Sequence, residues 1–190
     1  MVRLGEYNLS ASHNDVVQHI KIIRSERHAM NDIAILFLER DVGISPHIRP
    51  VCLPISEPIR SRSFVEYNPF IFGWDLLRKD RKFSNIPFEQ QITVLDNKSC
   101  KERYQQLGKL VSANQFDQSV VCAGHLDKFD GCISEFGSPM LQPIRNGELD
   151  FRYYQTGIAA YGIECERTDG PAVFTSVQYH IDWIQEKINS

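Results

Sequence analysis

The chain has 190 residues, of which 42% are hydrophobic and 24% are charged, and its net charge is -3. This composition is typical of one folded globular domain. The small net charge gives no electrostatic reason to expect a nucleic-acid or anionic-membrane partner. No apolar stretch approaches the roughly 20 residues that cross a bilayer, so we expect no membrane span.

Short β-rich runs follow one another along the chain. Val, Ile, Phe, Tyr and Thr dominate these runs, and Gly, Pro, Asn or Asp separate them, which is typical of strands. The runs are residues 16–23, 33–38, 69–73, 91–95, 120–123, 153–161 and 172–177. Because no long helical segment lies between them, they predict an all-β barrel or sandwich.

The C-terminal segment has a different period. Residues 178–188 place Ile181, Ile184 and Ile188 on one helical face, with Trp183 beside them. This spacing predicts a terminal helix that packs against the body of the domain. The polar residues 55–68 read as a connection between two halves, and the charged residues 74–86 read as an exposed loop.

The cysteines and two glycosylation sequons bear on the cellular compartment. No Cys or His spacing matches a metal site, so we expect neither a metal nor another cofactor. The sequons at Asn8 and Asn97 favour a secreted protein with disulfides. Five free thiols in an intracellular chain remain the alternative at this point. The cysteines are Cys52, Cys100, Cys122, Cys132 and Cys165, so an odd count leaves one without an internal partner.

Several short motifs occur in the order in which trypsin-like serine proteases carry them. They are M-N-D-I-A-I-L at 30–36, R-P-V-C-L-P at 49–54, F-G-W at 72–74, V-C-A-G at 121–124, D-G-C-I-S-E-F-G-S-P at 130–139, G-I-A-A-Y-G at 157–162, G-P-A-V-F-T at 170–175 and I-D-W-I at 181–184. The chain therefore resembles the trypsin-like serine protease family over essentially its whole length.

The resemblance implies two antiparallel β-barrels with an active-site cleft between them and a C-terminal α-helix. It divides the chain into the remainder of the first barrel (1–57), a connection (58–68), the second barrel (69–177) and the terminal helix (178–190). The N-terminal residues lack the apolar core of a leader and resemble a strand inside the first barrel. With that barrel incomplete, we expect these 190 residues expressed alone to aggregate.

The catalytic positions implied by the resemblance are incomplete. Asp32 stands at the triad acid, but Phe136 stands at the nucleophile, and a phenyl ring has no lone pair with which to attack a carbonyl. Ser134 replaces the glycine of the oxyanion hole. The segment that bears the histidine base has no counterpart, and no histidine of the chain stands in a matching context. These histidines are His13, His19, His28, His47, His125 and His180.

The substrate-pocket positions are mixed. Asp130 stands where the family's pocket base selects Arg or Lys, and Gly162 is retained. Ala160 and Tyr161 replace a serine and a tryptophan, and Ala172 replaces a wall glycine and would narrow the pocket. Two interpretations stay open: a residual pocket for basic residues, or an aspartate on an exposed loop.

The resemblance also implies a disulfide pattern. It pairs Cys100 with Cys122 and Cys132 with Cys165, which leaves Cys52 single. In the clip-domain branch found in arthropods, the matching cysteine links the protease domain to an N-terminal light chain. The residues around Cys52 suit that branch, which contains many non-catalytic homologues.

We therefore expect a secreted, non-catalytic serine protease homologue that binds other proteases or pro-enzymes. As in the clip-domain branch, it would act as a cofactor in a proteolytic cascade of innate immunity or melanisation. The alternative is an active endopeptidase that cleaves after Arg or Lys. That alternative requires Phe136 and the missing N-terminal segment to be artefacts of the sequence.

Overall fold

The structure, a computed structural model, describes residues 1–10, 16–74, 85–124, 136–147, 150–162 and 170–190. Its strands are β1 (Val2–Leu4), β2 (Gln18–Ile20), β3 (Ile22–Arg27), β4 (Ala34–Leu38), β5 (Phe70–Gly73), β6 (Phe88–Gln91), β7 (Val94–Leu95), β8 (Val120–Ala123), β9 (Pro139–Arg145), β10 (Phe151–Tyr161) and β11 (Ala172–Ser176). Its helices are α1 (Glu57–Arg60), α2 (Asn97–Gln106) and α3 (Ile181–Ile188). None of these helices has the length and apolar character needed to cross a membrane.

Within the described residues, seven strands form one antiparallel sheet in the order β6-β5-β9-β10-β11-β8-β7. The four N-terminal strands form two separate antiparallel pairs, β1 with β2 and β3 with β4. The all-β class and the C-terminal helix are therefore confirmed. The predicted run 16–23 divides at Lys21 between β2 and β3, and the run 91–95 divides between β6 and β7.

The long strand β10 bends where it crosses the sheet. Its register shifts against β9 between Gln155 and Gly157, and against β11 between Ala159 and Tyr161. A Cβ atom at Gly157 would lie 3.0 Å from the Cβ of Phe174 and 3.3 Å from that of Met140. The glycine therefore lets these two buried side chains approach β10, and the two register shifts lie on either side of Ile158.

Two apolar clusters hold these elements together. One fills the interior of the large sheet, and the other packs α3 against the residue that precedes β4. The first consists of Ile71, Ile92, Val94, Ala123, Met140, Ala159 and Phe174. In the second, Ile181 and Ile184 contact Ile33 and Val177. Each fully buried side chain of this size contributes roughly 1.5–3 kcal/mol, so the terminal helix fixes the position of Ile33 and of its neighbour Asp32.

Helix α2 and strand β9 are among the elements that were not predicted from the sequence, as is α1, which lies in the segment 55–68 that was predicted as a connection. Helix α2 has only Cys100 and Tyr104 as buried residues, so its apolar face is too narrow to show a helical period. Its N-terminus is capped by Asp96, whose carboxylate accepts a hydrogen bond from Ser99 N at 2.8 Å. Strand β9 contains Pro139 and Pro143, which argue against a central strand. β5 pairs with β9 only at Met140 and Leu141, so Pro143 lies where β9 has one neighbour.

Candidate functional site

A cleft of about 680 Å³ lies between the β3–β4 pair and the end of the large sheet. Asp32 and Phe136 both line this cleft, although they are far apart in the sequence. The cleft is otherwise largely apolar near β4 and β10, and its further lining includes His28, Asn31, Ala34, Leu36, Ile158 and Ala159.

Asp32 is held through its backbone while its carboxylate faces solvent. Its carbonyl oxygen accepts a hydrogen bond from the buried Thr175 hydroxyl at 2.8 Å. Asp32 is exposed, and no described residue donates a hydrogen bond to its carboxylate. The backbone of Asp32 is therefore fixed by Thr175. Within the described residues, its carboxylate is not hydrogen-bonded to an imidazole.

Phe136 projects from the opposite side of the cleft. Its side chain is 69% exposed. The following backbone is fixed on β10, because Gly137 N donates to Ala159 O at 2.8 Å and Ala159 N donates to Ser138 O at 2.9 Å. Gly137 has φ +87°, a conformation that suits glycine. The ring is thus a large, mostly exposed apolar group in the lining of the cleft, next to a segment that is hydrogen-bonded to β10.

Two histidines support the turn that carries Asp32. His28 Nδ1 accepts hydrogen bonds from Met30 N at 3.2 Å and Asn31 N at 3.1 Å. His180 Nδ1 lies 2.6 Å from Ser176 O, and since a carbonyl only accepts, this nitrogen carries the proton. In the neutral ring, His180 Nε2 then accepts from Asn31 Nδ2 at 2.6 Å. The residue next to Asp32 is therefore tied to the start of α3.

The surroundings of His180 favour its neutral form. The side chain is 1% exposed, and burial lowers its pKa from the usual value of 6.5. The carbonyl of Ser176 and the carboxylate of Asp117 act weakly in the opposite direction, and His28 adds to the lowering. The two imidazole rings meet edge to face with centroids 5.0 Å apart. A neutral His180 is the state that the Asn31 contact requires.

Tyr161, at the end of β10, packs against a buried aromatic cluster. It packs with Tyr104 and Phe116 around the disulfide between Cys100 and Cys122. Its hydroxyl accepts a hydrogen bond from Gln115 at 3.2 Å. Burial raises the pKa of both tyrosines, so these phenols stay protonated and serve packing rather than acid–base chemistry.

Comparison with known proteins identifies the fold and family. The family described as Trypsin matches residues 1–184. The chain belongs to the trypsin family.

A venom protease of Bombus pensylvanicus is 38% identical over 86% of the chain and 61% of its own length. The proclotting enzyme of Tachypleus tridentatus is 32% identical over 97% of the chain and 49% of its own length. The crystal structure of the Drosophila Grass clip serine protease of the Toll pathway matches with a TM-score of 0.74 at 24% identity, over 98% of this chain and 56% of that one. The chain thus spans about half to three-fifths of these relatives.

The structure describes four of the expected pocket positions, and none of them is among the residues that line the cleft of Asp32 and Phe136. Ala160 lies on β10 at the register shift between Ala159 and Tyr161. Ala172 begins β11, is half-buried and packs against the core of the sheet. Gly162 is exposed at the end of β10. Asp130 and Ser134 lie outside the described residues, as does the expected pair Cys132–Cys165, so the pocket base stays a prediction.

Cys52 lies beside the first half of β10, where it forms an isolated parallel β-bridge with Tyr154. Its N–H donates to Tyr153 O at 3.1 Å, and its carbonyl accepts from Gln155 N at 2.9 Å, so the backbone is fixed on β10. The side chain is half-buried, and within the described residues Cys52 has no disulfide partner. The structure contains the other implied bond that can be described, Cys100–Cys122.

His180 is the supporting residue that sequence reasoning missed, because it was grouped with ordinary histidines. A signal was present: Val177, His180, Ile181 and Ile184 fall on one helical face, which marks a buried polar residue among core positions. The contact with Asn31 could not be seen, since 149 residues separate the two.

Proposed function

We propose that this chain is a non-catalytic member of the trypsin family that acts by binding other proteases or pro-enzymes of an extracellular cascade. The observation that carries the proposal is Phe136, which stands at the family's nucleophile position and is 69% exposed in the cleft. Acyl transfer by this family requires a hydroxyl at that point. A benzyl side chain supplies neither an electron pair nor a proton.

The arrangement of Asp32 supports the same proposal. A triad acid acts by holding a histidine in one tautomer, whereas the carboxylate of Asp32 has no donor among the described residues. Both imidazoles near it, His28 and His180, are already engaged as acceptors by residues of the turn. Neither ring is free to take a proton from a substrate-bound nucleophile in this arrangement.

The proposed setting follows from the relatives. The names of two relatives refer to clotting and to the Toll pathway. We propose that this chain works in such a cascade, in innate immunity or melanisation, as a secreted cofactor. Its partners would then be proteases or pro-enzymes whose surfaces fit the cleft rim.

Phe136 is the residue that we expect to anchor such a partner. An exposed aromatic ring on a fixed backbone is typical of an interface hot spot, because it buries a large area at little entropic cost. Phe136→Ala should weaken binding of a candidate pro-enzyme by roughly 10-fold or more. Phe151→Ala is the matched control, since Phe151 is 54% exposed at the opposite end of β10. Equal affinity of the Phe136→Ala variant and the wild type would contradict the anchor role.

Cys52 is proposed to bond a cysteine of an N-terminal light chain, as in the clip-domain branch. Its half-buried thiol and fixed backbone give a rigid attachment point. In recombinant full-length protein, Cys52→Ser should let the light chain separate from the protease domain on a non-reducing gel after cleavage. A light chain that stays attached without Cys52 would contradict this assignment.

The activity test is peptide turnover. The purified protein should hydrolyse neither Arg- nor Lys-containing chromogenic peptides, in a buffer where an active trypsin-family protease does. Turnover that remains after removal of contaminating protease would support the alternative, an active endopeptidase.

A further inference from the structure

The two sequons of the chain use their side chains in opposite ways. In the first, Asn8-Leu9-Ser10, the Oδ1 of Asn8 accepts hydrogen bonds from Ser10 N at 3.0 Å and from the Ser10 hydroxyl at 2.7 Å. The sequon hydroxyl is thus bonded to the carboxamide of its own asparagine. No described residue accepts a hydrogen bond from Asn8 Nδ2, so the nitrogen that a sugar would modify is uncommitted.

The first sequon also lies on an accessible and anchored surface loop. Its neighbours Tyr7 and Leu9 are 61% and 46% exposed. The loop is fixed by two contacts to a later part of the chain, since Leu9 N donates to Asn85 O at 2.8 Å and Trp74 Nε1 donates to Tyr7 O at 3.2 Å. Asn8 itself is half-buried, but a glycan on its Nδ2 would replace no hydrogen bond to a described residue.

The second sequon, Asn97-Lys98-Ser99, is part of the fold. Asn97 is in the first turn of α2, and its Nδ2 donates to Asp117 O at 2.8 Å and to Val120 O at 3.2 Å. Both amide hydrogens are therefore used. The Ser99 hydroxyl donates to the Asp96 carboxylate at 2.6 Å rather than to Asn97. A sugar on Asn97 would replace one of these hydrogens and occupy the space between α2 and the backbone of residues 117–120.

We infer that Asn8 carries an N-linked glycan and that Asn97 does not. The donor is an oligosaccharide on a lipid diphosphate. Asn8 Nδ2 forms the bond to the anomeric carbon, the carbon–oxygen bond to the diphosphate breaks, and the lipid diphosphate leaves with that electron pair while the amide loses one proton. This inference rests on the extracellular location in the proposed function, because the reaction occurs on chains entering the secretory pathway.

The test is site mapping on the full chain, secreted from insect cells behind a heterologous leader. Removal of N-glycans by a peptide amidase in ¹⁸O water converts each glycosylated asparagine to a labelled aspartate. Mass spectrometry should find the label at Asn8 and unmodified Asn97. On gels, Asn8→Gln and Ser10→Ala should abolish the mobility shift caused by the amidase, and Asn97→Gln and Ser99→Ala should leave it unchanged.

Each outcome decides the assignment. A label at Asn97, or an unmodified Asn8 in wild-type protein, overturns it. The decisive map uses wild-type protein and therefore does not depend on the folding of Asn97→Gln, which loses two hydrogen bonds. If the chain is retained in the cell, the same map is made on the microsomal fraction. Failure of partner binding would overturn the proposed function and leave the Asn8 assignment intact.

Discussion

The surface of the cleft and the layer behind it differ in how many of their side chains have hydrogen-bond partners or are buried. Behind the cleft, Tyr104 donates its buried hydroxyl to Pro171 O at 3.0 Å, and both ring nitrogens of His180 have hydrogen-bond partners. At the surface, the Asp32 carboxylate accepts no hydrogen bond from a described residue, and Phe136 exposes 69% of its side chain. Among the described residues, the layer behind the cleft is therefore fixed by internal contacts, whereas the side chains of Asp32 and Phe136 are mostly in solvent.

This difference indicates which kind of residue maintains each region. Residues that stabilise a fold are constrained by packing and hydrogen bonds, and those of the inner layer meet that constraint. An exposed side chain with few contacts is under no such constraint and can change at little cost in stability. The contrast predicts large effects of substitution in the inner layer and small effects at the cleft.

The largest contrast is between two phenylalanines. Phe174→Ala should lower the free energy of unfolding by about 3–5 kcal/mol, because it opens a cavity in the core of the large sheet. Phe174 is 0% exposed. Phe136→Ala should change the same quantity by no more than about 0.5 kcal/mol, since the ring is mostly in solvent. Urea denaturation measures both, and similar losses in the two variants would break the comparison.

The disulfide of the inner layer should have the next largest effect. Cys100 and Cys122 close a loop with a sequence separation of 22. Replacing both with Ala should cost about 3 kcal/mol of stability, chiefly by freeing the unfolded chain. Cys52→Ala is the control, and its effect should be much smaller because Cys52 closes no loop within the described residues. A cost below about 1 kcal/mol for the double variant would contradict this estimate.

The stability of the protein should depend on pH through His180, which belongs to the layer behind the cleft. Burial lowers its pKa in the folded state, so as pH falls below about 6.5 the unfolded chain takes up a proton before the folded chain does. Stability from this group is therefore complete above that pH and declines below it until the folded ring also protonates. His180→Gln should flatten the decline in thermal stability between pH 7 and pH 5.

His47→Gln is the control for this pH dependence, since His47 is exposed and its imidazole contacts no residue of the inner layer in the described structure. A decline that is as steep in His180→Gln as in the wild type would show that another group is responsible.

The smallest effect on stability should come from substitution of Asp32. Asp32→Asn keeps the backbone bond from Thr175 and removes only an exposed charge. We expect a change in unfolding free energy within about 0.5 kcal/mol. A loss above about 2 kcal/mol would mean that the carboxylate has a structural partner, and would weaken the contrast between the cleft and its support.

The local sequence pattern predicted the strands that are rich in β-branched residues and contain no residue that disfavours a strand. Residues 120–123 were predicted as a strand and form β8, which lies between β11 and β7 in the sheet. Its residues Cys122 and Ala123 are fully buried. Strand β9 was missed because Pro139 and Pro143 contradict the local rule. The sheet tolerates them because β9 has one neighbour beyond Leu141. Only the tertiary arrangement decides such a case.

The candidate site was predicted only in part, for a related reason. The motif order assigned Asp32 and Phe136 to catalytic positions, and both line the cleft. The support of Asp32 by Asn31 and His180 was not predicted, since it depends on the docking of α3 against the β3–β4 turn. A periodic pattern tells which face of an element is buried, but not which polar group it meets there.

The most direct test of the central claim is the intact mass of the protein after incubation with a fluorophosphonate probe. An active trypsin-family protease in the same buffer serves as the positive control. The account predicts that the mass of this chain stays unchanged while the control gains one probe per molecule. A stoichiometric adduct that maps to a serine in residues 134–138 would contradict it, because that region would then supply a reactive hydroxyl despite Phe136.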